Sequence, residues 1–369
     1  MKSSSLAIVA AASSTAAAGA RHVMYFDQWH TAVLPPRDVT AGVTHVITAF
    51  APDTTFNWGS SYTPFMPLDQ VRALFDEGTK VCLAVGGWGD TTGFGVAAAS
   101  DSSRKTYAQN IATALDALGY DCVDIDWEYP GGNGEDYKQN PNSGKVSEIQ
   151  TYPLLLQEIK AAIGTKELSI AVPGKEGDMI AFTAEQVPKI NAAVDFVNVM
   201  TYDLMNRRDT VTNHHTSVED SLNTINIYLS RGMSAAKMNL GFAFYAKWFT
   251  TKDGVTCDQP TGCPTAVLED ANGGDTGLSG AVTFEAANWG GAFLNAMNNG
   301  KADNDKGGQW YWDSSAKVYW TWDTPAFIAR KFTEIVKAKG LGGVMAWSLA
   351  QDSHDWSHLK AMQQGVSSL

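Results

Sequence analysis

Residues 121–130 read Asp-Cys-Val-Asp-Ile-Asp-Trp-Glu-Tyr-Pro, and their alternation decides the fold. Asp124, Asp126 and Glu128 alternate with Val123, Ile125 and Trp127. On an extended strand, alternate side chains leave the same face, about 6.6 Å apart per two-residue step. The three carboxylates therefore share one face, and the other face is wholly apolar, as a strand beneath a helical layer requires. Three readings fit such a stretch. A half-exposed strand would keep its acids in water, but three like charges in a row repel and Asp is a poor strand former. A calcium loop would place Asp124, Asp126 and Glu128 at its positions 1, 3 and 5, with Glu135 at position 12. That loop needs Gly at position 6, where Tyr129 stands. The third reading is a catalytic carboxylate row that ends at the C-terminal mouth of a barrel strand.

Outward from this stretch, short apolar runs at 22–27, 43–50, 80–86, 121–128, 168–173, 194–200, 238–243 and 343–348 alternate with helical patterns. The clearest helical patterns lie at 68–77, 103–118, 146–163, 218–232 and 325–339. Eight strand–helix units predict an α/β protein, a closed parallel (β/α)8 barrel of the TIM type. Such a barrel needs about 250 residues. The chain has 369, and most of the surplus lies at about 248–323, between the seventh strand and its helix. That segment is rich in Gly, Asn and Asp and ends in Trp310-Tyr311-Trp312 and Tyr319-Trp320-Thr321-Trp322. It reads as a small α+β insertion built of hairpins, inside one domain spanning 21–369.

The first twenty residues carry Lys2, an apolar run from Leu6 to Val9, many Ala, and Ala18-Gly19-Ala20. This is the layout of a signal peptide over 1–20, although Ser13, Ser14 and Thr15 interrupt its apolar core. A disordered Ala/Ser-rich tail is the alternative reading. A net charge of −12 without a basic cluster argues against nucleic acid and anionic membrane as partners. No later stretch reaches eighteen apolar residues, so no membrane span is expected. An extracellular protein, monomeric, is the expectation.

In a secreted loop, Cys257 and Cys263 read as a disulfide. Cys82 and Cys122 share the inward parity of the acidic row and read as free, small buried hydrophobes. His354 and His358 have the helical spacing of zinc ligands, but Asp355 is short for the base role and no third ligand is evident, so they read as packing or surface residues. His214-His215 reads as a solvated loop. No phosphate-binding Gly loop and no Gly-x-Ser-x-Gly occurs. No metal and no organic cofactor is expected.

Four motifs then become specific. Asp121-x-x-Asp124-x-Asp126-x-Glu128 resembles the motif of family-18 glycoside hydrolases, the chitinases and their relatives. Val81–Trp88, with Gly86-Gly87, is similar to that family's third strand, and Met200-Thr201-Tyr202-Asp203 to its sixth. Gly342-Gly343-Val344-Met345-Ala346-Trp347 is similar to its eighth. The resemblance covers the whole chain after residue 20, and the insertion falls where bacterial and fungal chitinases carry an extra module.

The resemblance implies Glu128 as proton donor to the glycosidic oxygen and the substrate's own 2-acetamido group as nucleophile, an exception among glycosidases. It implies Asp126 orienting that acetamido group, Asp124 sharing a proton with Asp126, and Tyr202, helped by Asp203, bonding the acetamido oxygen. Trp347 and Trp88 would floor the sugars on either side of the cut bond, and Gly87, Met200, Tyr245 and Tyr25 would complete the cleft. The implied partner is chitin or chitooligosaccharides. An enzyme cutting N-glycan cores and a chitin-binding lectin share the fold. Two residues depart from the pattern. Ala84 replaces the usual Ser, which leaves Tyr25 as the expected sole side-chain donor to Asp124. Lys247 stands where an Arg is usual, which keeps the charge and loses the bidentate fork.

Overall fold

The computed structural model describes residues 19–369, so the segment read as a signal peptide lies, up to residue 18, outside the described residues. Eight strands close into a barrel: β1 (Arg21–Asp27), β2 (His45–Ala51), β3 (Lys80–Gly86), β4 (Cys122–Asp126), β5 (Glu167–Val172), β6 (Phe196–Val199), β7 (Met238–Ala243) and, at the end of the chain, β13 (Gly343–Trp347). Neighbouring strands run in sequence order and all pairs are parallel, with β13 closing the ring between β7 and β1. This is the expected (β/α)8 architecture.

Two cores result from the alternation along each strand. On β4, Val123 and Ile125 point outward into a large cluster with Trp127, Tyr152 and Leu155, between the barrel and its helices. The inward set forms a separate cluster inside the barrel that includes Tyr25, Ala84, Cys82, Cys122, Tyr202 and Met345. Trp127 is fully buried and stacks on Phe94 with ring centroids 5.3 Å apart. The helices follow the predicted patterns. Asp101–Leu118 starts from a capping box between Ser100 and Ser103 and stops at Gly119, whose φ of 81° suits a residue without Cβ. The 68–77 pattern forms only Leu68–Arg72, and the chain then turns through Gly78 at φ 91° before β3. Pro325–Lys331 passes into a π-helical segment, Phe332–Lys337.

Between β7 and Pro325 lies a five-stranded antiparallel sheet of β8 (Tyr245–Thr250), β9 (Ser279–Thr283), β10 (Lys301–Asp303), β11 (Gly308–Asp313) and β12 (Val318–Trp322), in the order β10-β11-β12-β8-β9. It also carries the helix Gly291–Asn299. The insertion therefore begins three residues earlier than composition placed it, directly after Phe244. Its exit is fastened by an ion pair with no exposed side-chain surface, Lys331 Nζ to Asp323 Oδ2 at 2.5 Å, and the same ammonium donates to Thr216 O and Oγ1. Removing one partner of such a pair strands a buried charge, which typically costs ~3–5 kcal/mol.

The structure corrects two expectations. Cys82 and Cys122 are bridged, not free, with Cα atoms 4.4 Å apart. They are Cα partners in the β3–β4 register, so equal inward parity places them side by side at one level of the barrel. Layered packing separates strands at different heights, but it does not separate a register pair. Cys257 and Cys263 are bridged as expected, at 5.6 Å. His214 and His215 are buried, not solvated. The insertion covers their loop: His214 Nε2 lies 3.0 Å from Asp303 Oδ2 and its Nδ1 3.2 Å from Thr321 Oγ1. His354 is an exposed surface residue and His358 a buried packing residue. His354 stacks on Trp289 at 4.0 Å, and His358 Nδ1 meets Asp352 Oδ1 at 2.8 Å. No helix among the described residues is long and apolar enough to cross a membrane.

Thiol titration of the denatured, unreduced protein should therefore find no free thiol on any of the four cysteines. A count of two would contradict the barrel bridge.

Candidate active site

The acidic row of β4 rises from the barrel interior to its mouth. Asp124 is fully buried, Asp126 is 4% exposed and Glu128, two residues past the strand, is 9% exposed. An ionised carboxylate is costly to bury unless donors surround it. Asp124 has three. Tyr25 OH donates to Oδ2 at 2.7 Å, Ser169 Oγ to Oδ1 at 2.6 Å, and Asn198 Nδ2 to Oδ1 at 3.2 Å. The chain of polar groups continues: Asn239 Nδ2 donates to Asn198 Oδ1, and Arg21 Nε donates to Asn239 Oδ1, both at 2.9 Å. Burial still pushes the Asp124 carboxyl upward, against the pull of these three donors.

Tyr25 is thus not the sole donor to Asp124. Ala84 and Ser169 are both register partners of Asp124, on β3 and β5 respectively, and the hydroxyl missing on one side is supplied from the other. Sequence reading missed Ser169 and Asn198. Their signal was parity alone: Ser169 shares the inward face of β5 with Ala171, and Asn198 that of β6 with Phe196 and Met200.

Asp126, one same-face step above Asp124, does not share these three donors. Asp126 Oδ1 is instead buried without any partner. Burial, then the charges of Glu128 and Asp124, hold Asp126 well above the usual carboxylate range. Glu128 is raised to about 7, first by burial, with the charges of Asp203 and Asp178 adding to it against a bond from Tyr129. The mouth of the row therefore retains a proton near neutral pH.

Around the row, Tyr25, Gly87, Trp88, Met200, Tyr202, Asp203, Tyr245 and Trp347 line one cleft with Asp126 and Glu128, while Asp124 sits below it. Gly86 and Gly87 have φ of 100° and 101°, and a Cβ on Gly87 would meet the Phe50 ring at 2.9 Å. The turn they make lets Gly87 N donate to Asp126 O at 2.8 Å, directly beside the acids. Trp347 stacks on Phe50 at 5.5 Å and 19°, forming an apolar floor. Trp88 is 48% exposed and stands edge-on to Tyr129 at 6.3 Å. Among the described residues Tyr202 OH has only Met345 Sδ as a partner, at 3.7 Å, which leaves its hydroxyl available to the cleft.

Asp203, at φ 53°, accepts from Tyr245 OH and Lys247 Nζ, each at 2.9 Å. Burial pushes its carboxyl up, but the Lys247 charge and these bonds outweigh it and hold it below the usual value. Half of the Asp203 side-chain surface is open, so solvent screens this pair. Lys247 thus occupies the role of the usual Arg with a single bond. Among the described residues no group of three or more His, Cys, Asp or Glu is arranged to hold a metal ion. The arrangement can deliver a proton from a buried carboxyl at the mouth, and it offers a second carboxyl oxygen to a polar group on the bound molecule.

Comparison with known proteins agrees with this geometry. Residues 21–352 match the model of the Glycosyl hydrolases family 18. Among relatives, Chitinase 1 of Aphanocladium album is 26% identical over 95% of this chain and 86% of its own length. Chitinase A1 of Niallia circulans is 30% identical over 74% of this chain and 40% of its own length. Among solved structures, catalytic domain 2 of the Ostrinia furnacalis Group II chitinase superposes with a TM-score of 0.77 at 22% identity, over 95% of this chain and 97% of that one. A plant class V chitinase mutant from Cycas revoluta, in complex with (GlcNAc)3, gives 0.71 at 20% identity, over 94% and 99%.

The Asp124 network makes a direct prediction. Ser169→Ala removes a donor to a buried carboxyl and should lower unfolding free energy by ~1.5–3 kcal/mol. Adding Ala84→Ser, which faces Asp124 from the opposite strand, should restore part of that loss. Chemical denaturation of the double-mutant cycle reads the coupling; strictly additive changes would show that the two positions do not share Asp124.

Proposed function

The chain belongs to glycosyl hydrolase family 18 and is a glycoside hydrolase, and from that membership we propose that it is a secreted chitinase. It cleaves β-1,4-linked N-acetylglucosamine chains with retention of configuration, and the substrate's own 2-acetamido group supplies the nucleophile. The observation that carries this reading is the Asp126 carboxyl: buried, held between two other acids, with Oδ1 unpartnered, on a side chain that lines the cleft. A buried acceptor without a donor is costly, so the site favours a ligand that brings one. An acetamido N–H on the sugar above Asp126 does so.

In this mechanism Glu128 donates its proton to the glycosidic oxygen as the bond to the anomeric carbon breaks. The acetamido carbonyl oxygen closes on that carbon from the other face, giving a cyclic oxazolinium-type intermediate. Asp126 holds the acetamido nitrogen and offsets its developing positive charge, while Tyr202 OH donates to the acetamido oxygen. Glu128, now ionised, takes a proton from the water that opens the ring. Two displacements at one carbon return the original configuration. The one carboxylate of the row beyond Asp126 is Glu128, which this mechanism uses as the acid. The charge of −12 and the apolar Trp347 floor suit a neutral polysaccharide. The names of the relatives and the sugar bound to the cycad enzyme support the same substrate. Two disulfides and the N-terminal signal-like layout support secretion.

Glu128→Gln should cut turnover of chitin oligomers by ~10²–10⁴-fold while leaving their binding within a few-fold of wild type. Turnover within about tenfold of wild type would remove Glu128 from the mechanism.

A further inference from the structure

The loop that follows Glu128 is held by an arginine from a different barrel unit. Arg208, in the loop after β6, sends Nη1 to Asn133 O and Nη2 to Gly134 O, both at 3.0 Å. Its guanidinium lies 4.1 Å from the Tyr137 ring centroid and 5.6 Å from that of Trp88. One side chain thus spans the loops after β3, β4 and β6 on the Trp88 side of the acid. Asp178, in the loop after β5, completes the arrangement: its Oδ1 is 3.6 Å from Arg208 Nη1 and accepts from Asn133 Nδ2 at 3.1 Å. Asp178 and Arg208 line the same cleft as Glu128.

We propose that Arg208 and Asp178 are a positioning pair for the acid, in which Arg208 pins the loop that follows Glu128 and braces Trp88, and Asp178, held against Arg208 and Asn133, adds a negative charge to the wall of the cleft that Glu128 lines. The inference rests on Glu128 being the proton donor. A planar fork with two carbonyl bonds and two aromatic faces is a task for Arg and not for Lys. It fixes the backbone just past the acid, so the Glu128 carboxyl and the Trp88 ring keep one spacing. Asp178 then acts through charge. The titratable groups around Glu128 are Asp126 at the end of β4, the adjacent Tyr129, Tyr202 and Asp203 after β6, Tyr245 on β8, and Asp178 after β5. Asp203 is offset by Lys247. Asp178 is offset by Arg208 and more weakly by Lys175, which is itself engaged with Asp209 at 2.7 Å. Of these neighbours, Asp178 is the acid whose charge can be removed without altering a residue assigned to the acetamido group.

The sign follows from charge alone. A negative neighbour favours the protonated acid, so the alkaline limb of the rate profile, where Glu128 loses its proton at about 7, is held up by Asp178. Asp178→Asn should move that limb down by about 0.5–1 pH unit, with KM for short chitin oligomers changed less than threefold. Arg208→Lys keeps the charge and should leave the limb in place, while raising KM several-fold for oligomers that reach Trp88. Thermal melting of both variants verifies that each is folded. A limb in Asp178→Asn within about 0.2 unit of wild type overturns the charge role, and an unchanged KM in Arg208→Lys overturns the bracing role. If Glu128→Gln is inactive and the limb stays put, the pair fails and the acid assignment stands. If Glu128→Gln retains activity, the acid assignment itself fails.

Discussion

The interior of this barrel is organised by one costly requirement: three carboxyl groups rise along one face of β4 and the turn after it, and none is more than 9% exposed. A charge buried without partners is among the most expensive features a fold can contain. The deepest acid, Asp124, is stabilised by donors from three other strands, β1, β5 and β6, and through Asn198 the network runs on to β7 and Arg21. The middle acid, Asp126, is left incomplete. The outermost, Glu128, keeps a raised affinity for its proton because burial and like charges act together. A gradient therefore runs along one strand from full satisfaction at the bottom to unmet capacity at the mouth. Function is drawn from the unmet end.

The walls of the cleft are tied together by long-range polar contacts. Arg208 joins three loops over the acid, His214 joins the loop after β6 to the insertion, and Lys331 with Asp323 fastens the insertion's exit to the barrel. The Arg208 and His214 ties span residues far apart in sequence, and Lys331 reaches as far through Thr216. Barrel loops that carry chemistry need such bracing, because a strand tip fixes a side chain only as far as its last ladder bond. Beyond Asp126 the strand has ended, and Glu128 depends on the loop contacts that follow it.

Much of this could be read from the chain. Alternation at 121–128 located the acidic row, and eight apolar runs with helical patterns between them gave the barrel. The four family motifs placed Tyr202, Asp203, Trp88 and Trp347 at the cleft, where the structure has them. What stayed hidden was lateral. Parity says which way Cys82 and Cys122 point but not that they are register partners, and that register is what bridges them. The same gap hid Ser169, which sits opposite Ala84 across Asp124 and supplies the hydroxyl that Ala84 lacks. His214 and His215 looked solvated because their cover comes from an insertion whose packing no local period encodes. Arg208 carries no local signal, since its partners are carbonyls and ring faces drawn from other barrel units.

The central claim is that the substrate's acetamido group, and not a second enzyme carboxylate or a directly attacking water, closes on the anomeric carbon above Asp126. Proton NMR of products in the first minutes of chitin-oligomer hydrolysis, before mutarotation, tests it most directly. The account predicts that the new reducing end appears first as the β-anomer. Appearance of the α-anomer first would mean a single inverting displacement, and would contradict the roles of Asp126 and Tyr202 in holding the acetamido group.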